Sequence, residues 1–210
     1  IQEYEVSEYI PGAGQSKQTD WKIDSDNPDF EWLSIANPDG TGKRAIEHLG
    51  VNTNRVDVSW SPNNEIVGHY WEGSGDDRTI LYFIGKNNEN LKATYVEGYN
   101  VQSKWTNDGE QLLYSSISSK DNFNPRLWIV NARGNTIGTN RIDLGLNTFA
   151  DKCNFAGETT LYCAVPDSLE RGVGLQPDVN DGVSDTIYKI DLKTGQKTIH
   201  MQLDSFTRLM

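Results

Sequence analysis

Polar and apolar residues alternate along most of this chain, and the alternating runs recur at a regular spacing. Three segments repeat one pattern: an alternating run that ends near an aromatic residue, a turn rich in Asn, Asp or Gly, and a second apolar run. They cover residues 55–71, 100–116 and 151–165. A period of two that is broken by a tight turn predicts a β-hairpin in each segment.

A second type of hairpin alternates with the first, and each copy carries an aromatic residue at an equivalent place. These aromatic residues are Trp32, Tyr82, Trp128 and Tyr188. We expect them to be buried as wedges between neighbouring sheets, because a large aromatic side chain contributes most when it is buried. In the first type the aromatic residues Trp60, Trp105 and Phe155 recur after about 45 and then 50 residues, a period that is typical of propeller blades of four strands each.

The two alternating hairpins predict an all-β fold, a β-propeller of four-stranded antiparallel blades with about four blades visible. Residues 1–29 are predicted to be an N-terminal strand and loop segment, and residues 30–210 to form the blades. The predicted blades are a partial one at 30–49 and complete ones at 55–97, 100–144 and 149–203. Propellers close with about four to eight blades. The blades therefore form either a small ring that the N-terminal strand completes or, as we favour, part of a larger ring.

The turns of the first two hairpins carry a family resemblance. SWSPNNEIVGHY (59–70) and KWTNDGEQLLYS (104–115) resemble the S-P-D-G hairpin of the WD40-like repeats in TolB-type bacterial propellers. Residues 123–195 resemble uncharacterised, exported bacterial WD40-like proteins, which are usually tethered by an N-terminal membrane segment. The resemblance implies a propeller fold and an extracytoplasmic location, either secreted or tethered to the cell surface through a segment outside this sequence. It implies no known reaction.

Charge narrows the range of partners. The chain has 19 Lys and Arg residues against 30 Asp and Glu residues, a net charge of −11. We expect no nucleic-acid partner, because such binding needs a positive surface. No apolar run approaches the roughly 18 residues that span a bilayer, so we expect no membrane insertion by this sequence. A cation or a basic partner stays open.

Two cysteines, Cys153 and Cys163, flank the turn of the third hairpin. A three-residue loop at 157–159 would place them directly opposite each other, at a Cα separation that a disulfide accepts. The register therefore predicts a disulfide, and with it an oxidising compartment. A shift of one residue in the register would instead leave two buried thiols.

The loops between the second and third strands of the blades supply the candidate partner-binding residues. These loops are 71–79, 116–126 and 166–185, and we expect them to meet on one face of the propeller. The candidates are Trp71, Asp121, Asn122, Phe123, Asn124, Glu170, Arg171 and Gln176. Trp71 and Phe123 lie at loop edges, where an aromatic ring stacks on a sugar or anchors a protein; the alternative is an inward-facing residue at a strand end.

The sequence provides little support for a cofactor or for catalysis. Asp178, Asn180, Asp181 and Asp185 carry the oxygen ligands that calcium prefers, but their spacing does not match a calcium loop. We therefore expect no cofactor, with calcium as the alternative. The histidines are scattered, and no nucleophile motif is present, so we expect no enzymatic activity, a hydrolase or lyase being the less favoured alternative.

These features together predict a non-catalytic, extracytoplasmic interaction module. Its propeller-face loops would contact a protein partner or a neighbouring subunit. A glycan-binding or calcium-binding propeller is the alternative function.

Overall fold

The computed structural model describes residues 4–8, 17–22, 32–50, 55–75 and 77–202, with side chains from residue 32 onward. Sixteen β-strands lie within these residues. They are β1 (Tyr4–Glu8), β2 (Lys17–Lys22), β3 (Trp32–Ala36), β4 (Arg44–His48), β5 (Val56–Asp57), β6 (Ile66–Gly75), β7 (Arg78–Gly85), β8 (Thr94–Glu97), β9 (Tyr99–Trp105), β10 (Gln111–Ile117), β11 (Pro125–Asn131), β12 (Ile142–Asp143), β13 (Cys153–Phe155), β14 (Thr160–Pro166), β15 (Asp185–Asp191) and β16 (Lys197–Gln202). Short 3₁₀ helices, described below, interrupt the connections.

The strands form four antiparallel sheets of four strands each, and every sheet takes its strands in chain order: β1–β4, β5–β8, β9–β12 and β13–β16. This arrangement confirms the predicted all-β fold with about four four-stranded blades.

The first sheet differs from the partial blade predicted at 30–49. Strands β1 and β2 lie within the segment 1–29, and β2 pairs with β3 from Gln18 opposite Ala36 to Lys22 opposite Trp32. The sequence of β2, KQTDWK, contains a single apolar residue, so its pattern of polar and apolar residues does not indicate a strand. Its place in the sheet depends on main-chain pairing, and the types of residue in a segment predict such pairing only weakly.

The chain divides into two compact units, each with its own core. The first unit consists of Ile1–Tyr70 and Tyr82–Leu91, and the second of Trp71–Leu81 and Lys92–Met210. Core side chains of the first unit are Leu33, Ile35, Ile46, Leu49, Trp60, Val67 and Ile84. In the second unit, residues of the third and fourth sheets pack against each other: Leu113, Leu127, Ile129, Leu144, Leu146, Ala150, Cys153, Leu161, Cys163 and Ile190.

The turn of the first predicted hairpin is held by side-chain oxygens. The Ser61 hydroxyl donates to Asn63 Oδ1 at 2.6 Å and accepts from the Ile66 N–H at 2.9 Å. The Glu65 N–H also donates to Asn63 Oδ1, at 3.1 Å. A short hydroxyl and a short amide thus satisfy main-chain donors that the turn leaves without a ladder partner.

The second hairpin repeats this network with different residue types. The Thr106 hydroxyl donates to Asp108 Oδ1 at 2.6 Å and accepts from the Gln111 N–H at 3.0 Å, and the Glu110 N–H donates to Asp108 Oδ1 at 3.0 Å. Ser and Thr supply the same hydroxyl, and Asn and Asp the same acceptor oxygen. The departures from the S-P-D-G motif at these positions therefore preserve the atoms that form the turn.

The third hairpin has a disulfide instead. Cys153 pairs directly with Cys163, and Phe155 with Leu161, as the three-residue loop predicts. The two cysteines are bonded to each other across the hairpin, with their Cα atoms 4.1 Å apart. This confirms the predicted bond and excludes the shifted register.

The aromatic residues of the third strands are less buried than expected. Trp32 is 43% exposed, and Tyr82 and Trp128 are half-buried. Tyr82 stacks on the ring of Tyr70, and Trp128 on that of Tyr114, with ring centroids 4.9 and 6.5 Å apart. The wedge prediction is wrong for Trp32, and Tyr82 and Trp128 pair with rings of the second strand in their own sheet. Tyr188 is half-buried against the core of the second unit.

Candidate interaction site

A long loop, residues 167–184, connects β14 to β15 in the last sheet. Two hydrogen bonds join its ends: the Asp167 N–H donates to the Ser184 carbonyl at 2.9 Å, and the Thr186 hydroxyl donates to Asp167 Oδ1 at 2.6 Å. A short 3₁₀ helix, Pro177–Asn180, lies within it. The loop is therefore closed at its base and contains regular structure of its own.

A short loop, residues 118–124, connects β10 to β11 in the neighbouring sheet. Its fold depends on Ser118, whose carbonyl accepts from the Phe123 N–H at 2.9 Å and whose hydroxyl donates to Asp121 at 2.9 Å. Asn122 and Phe123 both have left-handed backbones, with φ of 56° and 57°. A left-handed Phe is uncommon, and here it lies where the short loop meets the long one.

The long loop docks on the short loop through main-chain hydrogen bonds. The Gly172 N–H donates to the Asn122 carbonyl and the Gly174 N–H to the Phe123 carbonyl, both at 2.9 Å. The guanidinium of Arg171 lies over the Phe123 ring, 5.8 Å from its centroid, a distance suited to a cation–π interaction. The structure thus brings together predicted partner-binding residues from two segments that are nearly 50 positions apart in the sequence.

The third predicted loop, residues 71–79, contacts the short loop through Asp77. Asp77, between β6 and β7, accepts hydrogen bonds from the Ser119 N–H at 3.2 Å and from the Ser119 hydroxyl. These bonds hold the pKa of Asp77 below its usual value. Contacts therefore link all three predicted loops.

Trp71 does not lie at a loop edge, contrary to the prediction. Strand β6 continues to Gly75, and β7 begins at Arg78, so Trp71 is a half-buried residue within a strand. The segment WEGSG has loop composition but keeps strand pairing. The alternative of an aromatic residue in a strand describes Trp71 better.

The outer side of the long loop exposes two apolar side chains that the sequence analysis did not select. Leu175 is 55% exposed and Val179 is 49% exposed. The neighbouring candidates Glu170 and Gln176 are also exposed. The loop also contains the apolar residues Leu169, Val173 and Val183, so the sequence does not show which of its apolar side chains are exposed.

A polar cavity of about 640 Å³ lies beside the short loop. Asp121, Asn122 and Asn124 line it together with Lys120 and Lys197. The Asn124 side chain is buried, and its Oδ1 has no hydrogen-bond partner among the described residues. Three of the predicted partner-binding residues thus line one polar cavity.

The weak calcium candidates separate in the structure. Asp178 is exposed in the 3₁₀ helix, whereas Asn180, Asp181 and Asp185 line a second cavity of about 410 Å³. Asp185 is 0% exposed, and both its oxygens lie 2.6 Å from Nζ of Lys152. An ammonium therefore occupies the position beside Asp185, and within the described part of the chain no group of three or more acidic, His or Cys side chains is arranged to hold a metal.

The histidines lie in separate sheets with unrelated surroundings. His69 is buried in the first unit with Nε2 3.5 Å from Asp57, and burial lowers its pKa although Asp57 opposes this shift. The His48 ring packs on Trp32, and the His200 ring on Tyr162. No helix in the described residues is long and apolar enough to cross a membrane.

Comparison with known proteins identifies the fold. No protein-family model matches the chain, and no curated protein sequence does. Among solved structures it is similar to the uncharacterized protein lmo1340 from Listeria monocytogenes EGD-e, with TM-score 0.59, 11% identity, and coverage of 90% of this chain and 51% of the other. It is also similar to the β-propeller domain of the Trilobed protease from Pyrococcus furiosus, with TM-score 0.52, 13% identity, and coverage of 89% and 53%. TolB from Acinetobacter baumannii matches with TM-score 0.49, 16% identity, and coverage of 82% and 39%.

The chain spans about half the length, or less, of these solved structures. At such low identity the similarity shows the fold alone. The four four-stranded antiparallel sheets and the match to a known propeller domain together establish a β-propeller fold.

Proposed function

We propose that this chain is a non-catalytic interaction module that acts outside the cytoplasm and presents its loop face to a protein partner. The observation that carries the proposal is the exposure of Leu175 and Val179 on a loop that is closed at its base and docked on its neighbour. An ordered loop that exposes apolar side chains loses little conformational entropy on binding, which favours its use as a contact surface. A neighbouring subunit of the same assembly is the alternative occupant.

The hydrogen bonds that three carboxylates of these loops accept support a non-catalytic role. Asp77 accepts hydrogen bonds from Ser119, Asp121 from Ser118, and Asp167 from Thr186. Each carboxylate thus forms part of the loop structure rather than serving as a free acid or base.

The disulfide supports the proposed location. Cys153 and Cys163 are bonded across one hairpin, and structural disulfides are typical of oxidising compartments and rare in the cytosol.

A photo-crosslinking experiment tests the proposal. A benzophenone amino acid is placed at Leu175, at Val179 and, as a control, at the exposed hairpin residue Glu158, and the products are identified by mass spectrometry. We expect one discrete product from 175 and 179 and none from 158. A second copy of this chain as the product would assign the surface to a subunit interface. The same products from all three positions would contradict the proposal.

A glycan is the second candidate ligand, and the polar cavity beside the short loop favours it. Its Asn124 Oδ1 is a buried acceptor without a partner among the described residues, and Tyr188 also lines the space. Binding of an oligosaccharide that Asn124→Ala weakens at least fivefold would support this function, since one hydrogen bond is worth about 1 kcal/mol. Equal binding by the variant would contradict it.

A further inference from the structure

The cavity of about 410 Å³ beneath the long loop has apolar walls and a few polar groups. Its apolar residues include Pro125, Phe149, Leu169, Val173 and Val183. Cavities of this size, mostly apolar and with a few convergent polar groups, are the usual form of binding sites. The long loop supplies much of the wall, so the cavity exists only while that loop is docked.

Charge within the cavity favours a cationic ligand. Its lining holds three carboxylates, Asp151, Asp181 and Asp185, and one ammonium, Lys152, for a formal charge of −2. Lys152 and Asp185 neutralise each other through two 2.6 Å contacts. The formal charge of the lining is negative, and its other two carboxylates are those of Asp151 and Asp181.

Two side-chain amides in the lining have acceptor oxygens without donors. Asn180 is only 6% exposed, and its Oδ1 is buried with no hydrogen-bond partner among the described residues. Gln102 Oε1 is likewise buried with no hydrogen-bond partner among the described residues. A buried acceptor that lacks a donor is costly, so a ligand that brings N–H donors would relieve an existing penalty.

We propose that this cavity receives the side chain of an arginine from the partner protein. The inference rests on the proposed function and specifies its chemistry. The aliphatic stem would lie along the apolar walls, and the planar guanidinium, with five donors in a fixed arrangement, would supply N–H groups to Asn180 and Gln102 and charge to Asp151 and Asp181. The Phe149 ring adds an aromatic face of the kind that guanidinium groups favour.

The test uses Nα-acetyl-arginine amide as the probe, titrated into isotopically labelled protein and followed by ¹H–¹⁵N correlation spectra. The control is the citrulline analogue, which has the same shape but an uncharged urea. We expect saturable shifts at the Asn180 and Gln102 side-chain amides and at Val173, and binding at least fivefold weaker for citrulline. Equal binding of the two compounds, or shifts confined to other parts of the chain, would overturn the proposal.

Two variants localise the binding. Asn180→Ala should weaken the arginine probe at least threefold without lowering the unfolding midpoint, because the side-chain oxygen that it removes has no hydrogen-bond partner among the described residues. Asn135→Ala, an exposed residue in the 3₁₀ helix Gly134–Thr136, should change neither quantity. Undiminished binding by Asn180→Ala would overturn the assignment.

The outcome is distinguishable from a failure of the proposed function. Crosslinking at Leu175 and Val179 reports on the outer side of the loop and does not require the cavity. Crosslinks without arginine binding would contradict only the proposal that an arginine side chain occupies the cavity. Absent crosslinks would contradict the proposed function, whatever the probe shows.

Discussion

Lys152 Nζ lies 2.6 Å from both carboxylate oxygens of Asp185, and this pair connects the 3₁₀ helix Ala150–Lys152 to the first residue of β15. Asp185 is fully buried and also marks the end of the long loop. The ion pair therefore holds one end of that loop against the preceding connection in the same unit.

Replacing Lys152 by Met should destabilise the protein by about 3–5 kcal/mol, because it leaves the buried Asp185 carboxylate without a countercharge. Chemical denaturation monitored by tryptophan fluorescence measures the loss. The double variant Lys152→Met with Asp185→Asn should recover part of it, because it removes the uncompensated charge. Equal stability of the single and double variants would show that the charge is not the cause.

Gly174→Ala should undock the long loop. An added Cβ would meet Ile117 Cγ2 at 2.1 Å and the Phe123 carbonyl oxygen at 2.7 Å, whereas at Gly73 it would meet nothing within 4 Å. We expect a cost of about 1–3 kcal/mol from overpacking and faster trypsin cleavage after Arg171. Gly73→Ala is the matched control and should leave the cleavage rate unchanged. An unchanged rate in Gly174→Ala would show that the loop accommodates the methyl group.

His69 should make the protein less stable as the pH falls below about 6.5. Burial lowers the pKa of His69 in the folded chain, so the unfolded chain takes up a proton that the folded chain does not. The contribution of His69 to the free energy of unfolding is fully present above the ordinary histidine pKa. It is lost on acidification, by at most about 1.4 kcal/mol per pH unit.

The free energy of unfolding, measured between pH 7 and pH 5, checks this dependence. The variant His69→Gln should show a smaller decrease over the same range, because it has no group to titrate there. An identical slope in both proteins would assign the pH dependence to other groups.

The double variant Cys153→Ala with Cys163→Ala, which lacks the disulfide, should have a free energy of unfolding lower by about 2–4 kcal/mol, mainly because the unfolded chain gains conformational entropy. Adding a reductant to the unaltered protein should produce a similar loss, and the double variant should not respond to reductant. A response of the double variant would point to an effect of the reductant that is independent of the bond.

The fold was predictable because its signal repeats. Alternating hairpins with turn residues at fixed places indicate blades even when single residues vary, as Thr106 and Asn63 do. The pairing of Cys153 with Cys163 was predictable as well, because counting residues outward from the turn shows which positions of a hairpin lie opposite each other. Strand β2 was not predictable, since its polar sequence pairs through its backbone.

The candidate site was predictable at the level of loops but not of individual contacts. Contacts between Asn122, Phe123 and the long loop agree with the expectation that these loops meet. Trp71 was misplaced because a glycine-rich segment continues as a strand. The ion pair of Asp185 with Lys152 and the exposure of Leu175 arise from tertiary packing, which no local pattern encodes.

Main-chain hydrogen bonds hold the long loop in two ways: the bond between Asp167 and Ser184 closes its base, and those from Gly172 and Gly174 dock it on the short loop of the neighbouring sheet. Residues between those anchors and on the outer side, including Val179, are free to vary in evolution without disturbing strand pairing. Related chains with this architecture can therefore diverge in what they recognise while retaining the same scaffold, and comparison of homologues should find the greatest sequence variation between Leu175 and Val179.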